Sequence, residues 1–135
     1  MASISTIRDK IATNLSTISG LRSTGYIPDN INPPYAIITP VNITYNRALS
    51  NGLTEYNFTI SVICGRADER TAQRNLDAYC QPTGASSVKS AVESDKTLAG
   101  NAYDLRVTNM RNYGSTTIGE TTYLAAEFDL VVYSD

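Results

Sequence analysis

The residues best placed to do chemistry are paired carboxylates. Asp68 and Glu69 are neighbours in sequence, and Glu127 and Asp129 are two residues apart. At that spacing Glu127 and Asp129 share one face of a strand, where two carboxylates could bind a cation or act as acid and base. On an outward strand face such a pair more commonly gives solubility and edge protection. Gly65-Arg66-Ala67-Asp68 reads as a strand-to-helix turn at which an anion could sit, helped by Arg66 and Arg70. It lacks the glycine and lysine spacing of a phosphate-binding loop, so a capped helix start beside two solvated arginines is the plainer reading. Cys64 and Cys80 lie 16 residues apart with no second pair to complete a zinc site. They could form a disulfide or be two unrelated thiols, and Cys64 falls on an apolar strand face, which favours a buried structural thiol. The chain has no His, which removes imidazole-based triads and the usual neutral-pH base. These residues predict no enzyme, no cofactor and no metal.

Composition narrows the classes further. A chain of 135 residues with 41% hydrophobic and 18% charged residues is one domain's worth of sequence and can bury a core. The net charge of −2 argues against a nucleic-acid binder, since phosphate neutralisation needs a basic surface. No run approaches the roughly 18 apolar residues of a membrane helix. The opening residues lack the basic lead and apolar run of a signal peptide. The expectation is a protein made in a reducing cytoplasm, with no membrane partner.

The elements follow from periodicity. Ser3 to Ile18 predicts an amphipathic helix, with Ile4, Ile7, Ile11, Leu15 and Ile18 on one stripe. Gly25 to Pro34 is rich in Pro, Asn and Gly and reads as an irregular crossing. Tyr35 to Thr39 starts a strand, and Pro40 marks an edge or a bulge. Residues 41–64 read as a long β-hairpin turning at Ser50-Asn51-Gly52. Its return run alternates, with Tyr56, Phe58, Ile60, Val62 and Cys64 on one face. Gly65 reads as the strand's end. Asp68 is a fitting cap for a helix carrying Ala72, Leu76 and Tyr79 or Cys80, and Ser86 or Ser87 for a short one carrying Val88, Ala91 and Val92. Tyr103 to Arg111 predicts a strand, Asn112 to Glu120 a loop, and Thr121 to Tyr133 a last strand with Leu124, Ala126, Phe128, Leu130 and Val132 facing one way. The predicted architecture is a single α+β domain over 1–135. It is a two-layer sandwich with an antiparallel sheet of about four strands, two to three helices on one face, and long hairpins.

Nine of the eleven aromatics are Tyr, an amphipathic residue favoured at interfaces. If helices cover one sheet face, the other carries Tyr, Thr and Asn, ready to be solvated or covered by a neighbouring subunit. The hairpin tip at 46–52 and the 112–120 segment are the candidate contact elements, with ordinary loops as the plainer alternative for both. The candidate interface residues are Arg47, Asn51, Glu55, Tyr56, Tyr113 and Thr116.

Three segments resemble one family in order and spacing. The opening SISTIRDKIATNLSTISGLRSTGYIPDNINPP combines a short helix, a "GLR" exit and a "Y-x-P-D-x-x-N-P-P" crossing. ISVICGRADERTAQRNLDAYCQPTGASSVKSAVESD carries a "G-R-x-D-E-R-x-A-Q-x-x-L-D" core. TLAGNAYDLRVTNMRNYGSTTIGETTYLAAEFDLVVY runs from "T-L-x-G" to a last strand ending "F-x-L-x-V". Together they cover nearly the whole chain and resemble the small tail terminator (tail completion) proteins of long-tailed bacteriophages. The resemblance implies helices against an antiparallel sheet, and a homohexameric ring that caps the finished tail tube and stops its polymerisation. It implies as partners the chain itself, the tail tube protein and a head-side connector protein. The implied location is the head–tail junction of the virion, after assembly in the host cytoplasm. DNA would pass through the lumen without specific binding, which suits an acidic chain of pI about 5.0. The rival readings are a head–tail connector or adaptor, a tail-tube subunit, and a small ligand-binding or enzymatic α+β domain.

Overall fold

A computed structural model describes residues 4–18, 21–24, 35–45, 54–66, 70–84, 86–98, 100, 102–118 and 121–134. The apolar stripe of the opening segment forms helix α1 (Ile4–Leu15). Ile7, Ile11 and Leu15 are completely buried, and Ile18 follows them into the core. Burial of each such side chain stabilises by about 1.5–3 kcal/mol, so the stripe, not helix propensity, holds α1 in place. Strand β1 (Arg22–Thr24) follows, then β2 (Tyr35–Thr44), β3 (Thr54–Arg66), helices α2 (Arg70–Tyr79) and α3 (Val88–Glu93), and strands β4 (Asp104–Ile118) and β5 (Thr121–Ser134).

The strands form one sheet in the order β1-β2-β3-β5-β4. All pairs are antiparallel except β1–β2, which is parallel. The architecture is the expected α+β sandwich, with a five-stranded mixed sheet where about four antiparallel strands were expected. The additional strand is the three-residue β1, whose Arg22 and Ser23 pair with Tyr35 and Ala36.

Helices α1, α2 and α3 all pack on the face carrying Ile38, Phe58, Ile60, Leu105, Phe128 and Leu130. Ser87 caps α3, its hydroxyl accepting from the Ser90 N–H at 3.1 Å. The same hydroxyl donates to the Gln81 carbonyl at 2.5 Å, which ties the cap to the end of the α2 segment.

Two sequence expectations are corrected. Gly65 does not end its strand. The ladder slips between Ile63 and Gly65, and pairing resumes at Gly65–Leu124 and Arg66–Tyr123, so Gly65 sits at a β-bulge. Asn112 to Ile118 is strand, not loop, and pairs with β5 out to Ile118–Thr121. Cross-strand pairing overrides the Gly/Ser/Thr composition there. The register shift at Pro40/Asn42 agrees with the bulge expected at Pro40. Asp68 and the hairpin tip at 46–52 lie outside the described residues.

Candidate subunit interface

The helix layer covers one sheet face, and no described helix covers the other. On that open face β3 contributes Glu55, Asn57, Thr59, Ser61 and Ile63, and β5 contributes Ala125, Glu127, Asp129 and Tyr133. A small apolar cluster of Tyr35, Ile37 and Ile63 lies at one end, flanked by Tyr123 and Ala125. The rest is polar. Asn57 donates to the Asn42 amide oxygen at 2.6 Å and to Glu55 Oε2 at 3.1 Å.

Glu127 and Asp129 do share this face, as their spacing predicted, and Arg111 stands between them. Its Nε donates to both Asp129 oxygens at 3.1 and 3.2 Å, and its Nη2 lies 3.4 Å from Glu127 Oε2. Asn112 adds a bond to Glu127 Oε1 at 3.0 Å, and Arg111 reaches the Thr59 hydroxyl at 3.5 Å. The guanidinium occupies the place a bound cation would take. The hydrogen bond that Arg111 donates to Asp129, then the Asp129 charge, raise the Arg111 pKa further. Among the described residues no group of three or more His, Cys, Asp or Glu side chains could hold a metal ion.

Two shallow depressions mark the open face. One, of about 340 Å³, is lined by Ile37, Ser61, Ile63, Ser115, Thr116 and Glu127 among others. The other, of about 310 Å³, runs past Asn42, Asn57, Thr108, Arg111 and Asp129.

The candidate interface residues separate. Arg47 and Asn51 lie outside the described residues. Glu55 and Thr116 both face the open side but at opposite ends. Their partners on β5, Tyr133 and Tyr123, are ten residues apart, about 33 Å at the rise of a strand. Tyr56 is buried in the core at 9% exposure and stacks on Phe58, with ring centroids 6.4 Å apart. That burial withdraws it from any partner surface. Tyr113 lies on the helix side, and its hydroxyl donates to Asp77 Oδ1 on α2 at 2.5 Å. This bond, with burial and the Asp77 charge behind it, pushes the phenol up to about 12. Tyr113 is therefore a clasp between β4 and α2. Sequence reasoning missed Arg111, because β4 has register shifts on either side of it.

Cys64 and Cys80 are free thiols, Cys64 buried and Cys80 half-buried. Burial first, then neighbouring negative charge, pushes Cys64 up to about 12 and Cys80 to about 11. Both are protonated at neutral pH and poor nucleophiles. A thiol-exchange reagent at pH 8 is expected to modify neither at the rate of a free thiol in the native protein. Both should react promptly in denaturant. A fast native reaction at Cys80 would contradict its environment. The raised values also set a sign. The stability they carry is complete below the ordinary thiol pKa of 9.0 and is lost as pH rises through about 11 to 12.

Searched against known proteins, the chain matches no family model, and no curated protein is significantly similar to it.

Proposed function

We propose that this chain is a structural virion protein of the tail terminator kind, which closes into a ring on the end of a phage tail tube and stops its growth. The observation that carries the reading is the two-sided build of the molecule. Helices seal one face of the sheet. The other face is broad, rich in Tyr, Asn and Thr, and no described helix covers it. A surface of this kind suits contact with further protein. The long β4–β5 hairpin, paired from Asp104 to Ile118, supplies an arm. The order and spacing of the three resembling segments add the family.

Termination has a physical requirement. A contact that repeats around an axis gives a ring if the rotation closes and a filament if it does not. The terminator must satisfy the tube's exposed end on one side and offer no copy of that end on the other. The partners proposed are the chain itself, the tail tube protein and a head-side connector. The chain's net negative charge suits a lumen through which DNA passes unbound.

Light scattering across a concentration series, with negative-stain images of the same sample, tests the reading. The expected result is closed rings of a single size, or a monomer that closes on added tail tubes because each contact alone is too weak to offset the entropy of association. Added to growing tubes, the protein should decorate tips and halt elongation. Rings that ignore tubes would point to the head–tail connector reading. Open-ended polymers would point to a tube subunit. A monomer that neither decorates nor limits tubes overturns the proposal.

A further inference from the structure

Strand β4 ends the sheet and, among the described residues, pairs only with β5, so alternate N–H groups along it point away from the sheet. Such a row is a template on which another strand can add. Two of its amides are already taken by carboxylates. The Leu105 N–H donates to its neighbour Asp104 Oδ1 at 2.9 Å. The Val107 N–H donates to Glu93 Oε2, from α3, also at 2.9 Å. Residues 105 and 107 are two apart and point the same way, at the repeat with which an incoming strand would present its carbonyl oxygens. The carboxylate oxygens stand where those carbonyls would be.

Glu93 is fixed in that position. Both its oxygens lie 2.6 Å from Lys89 Nζ, one turn earlier on α3. Burial raises its pKa, but Lys89, the Val107 N–H and the Lys96 charge outweigh burial and hold the carboxyl below its ordinary value. It is therefore charged at neutral pH. The register shift at Val107/Asn109 breaks the ladder just beyond the second cap.

We infer that Glu93 and Asp104 close the edge of β4 to strand addition, so that a second copy of this chain cannot extend the sheet through residues 104–107. The excluded contact is β4 against the same edge of a second copy, antiparallel about a twofold axis. The inference concerns the single chain and stands whichever assembly the chain enters.

The test combines hydrogen exchange with mass. In the wild-type protein the Val107 amide should exchange slowly despite its place on an edge strand. Glu93→Ala should speed that exchange at least about tenfold, the loss of one hydrogen bond to a charged group. Glu93→Gln keeps an acceptor oxygen and should retain most of the protection. The double variant Glu93→Ala/Asp104→Ala should gain mass above the wild type in light scattering, increasingly with concentration. A folded double variant that keeps the wild-type mass throughout overturns the inference. If that variant does not fold, the exchange measurement decides. A wild-type Val107 amide that exchanges as fast as an unstructured one overturns it too. Lys89→Ala, which frees Glu93 without touching the core, should then raise Val107 exchange if the inference holds, and leave it unchanged if it does not.

Discussion

Replacing Phe58 with alanine should lower the unfolding free energy by about 3–5 kcal/mol. Phe58 sits on β3, the middle strand of the sheet, between Pro40 on β2 and Leu130 on β5. Only 2% of it is exposed. Truncation removes most of an aromatic side chain from water-free packing, and a central strand cannot shift to fill the gap. It also strips the stacked ring from Tyr56, a contact worth about 0.5–1.5 kcal/mol beyond area. A domain of this kind has about 5–15 kcal/mol in total, so the variant loses at least about a fifth of its stability. Urea unfolding should show a lower midpoint at an unchanged slope. The control is Asn57→Ala, one residue away and facing the open side. It forfeits hydrogen bonds to Asn42 and Glu55 and should cost about 1 kcal/mol or less. If the two variants cost the same, the assignment of faces along β3 is wrong.

That assignment was legible because β3 alternates without interruption from Tyr56 to Val62. The alternation put Tyr56 on the apolar face, and its burial follows the alternation, not its place beside the hairpin. The helices were legible for the same reason. Ile7, Ile11 and Leu15 on α1 and Ala72, Leu76 and Tyr79 on α2 are buried at helical spacing. What was not legible depends on distant partners. Strand β1 is Arg-Ser-Thr, with no apolar alternation, and exists because β2 lies beside it. The outer half of β4 reads as loop because nothing in Gly114-Ser115-Thr116-Thr117 announces Thr122 and Tyr123 across from it.

Strand β4 also defeats counting. From Leu105 and Val107, both buried, strict alternation would send Met110 to the open face and Arg111 to the core. The shift between Val107 and Asn109 reverses this, and Arg111 lands opposite Glu127. A second shift between Arg111 and Gly114 restores the first phase, with Asn112 at φ 57°. Asn tolerates that left-handed conformation. The charged cluster on the open face is therefore a product of two bulges, and a sequence read strand by strand cannot place it.

Leu98 carries the other large expected effect, and its sign is unusual. It lies in the turn after α3, with its N–H bonded to the Asp95 carbonyl at 3.2 Å. It is completely buried, yet its φ is +50°. The left-handed region costs a residue with a Cβ about 1–2 kcal/mol. Burial of the side chain in the core holds the backbone there. Leu98→Ala should destabilise by about 2–5 kcal/mol, because it leaves a cavity and keeps the strain. At an ordinary position glycine would be worse than alanine by about 0.5–1 kcal/mol, through the entropy of the unfolded chain. Here glycine also releases the strain, which offsets that loss. Leu98→Gly should therefore be no less stable than Leu98→Ala, although it removes one carbon more. Paired thermal or urea unfolding of the two variants gives the ranking. A glycine variant weaker than the alanine variant by about 1 kcal/mol would mean that no strain is stored at Leu98, and that the "T-L-x-G" turn is held by its hydrogen bonds alone.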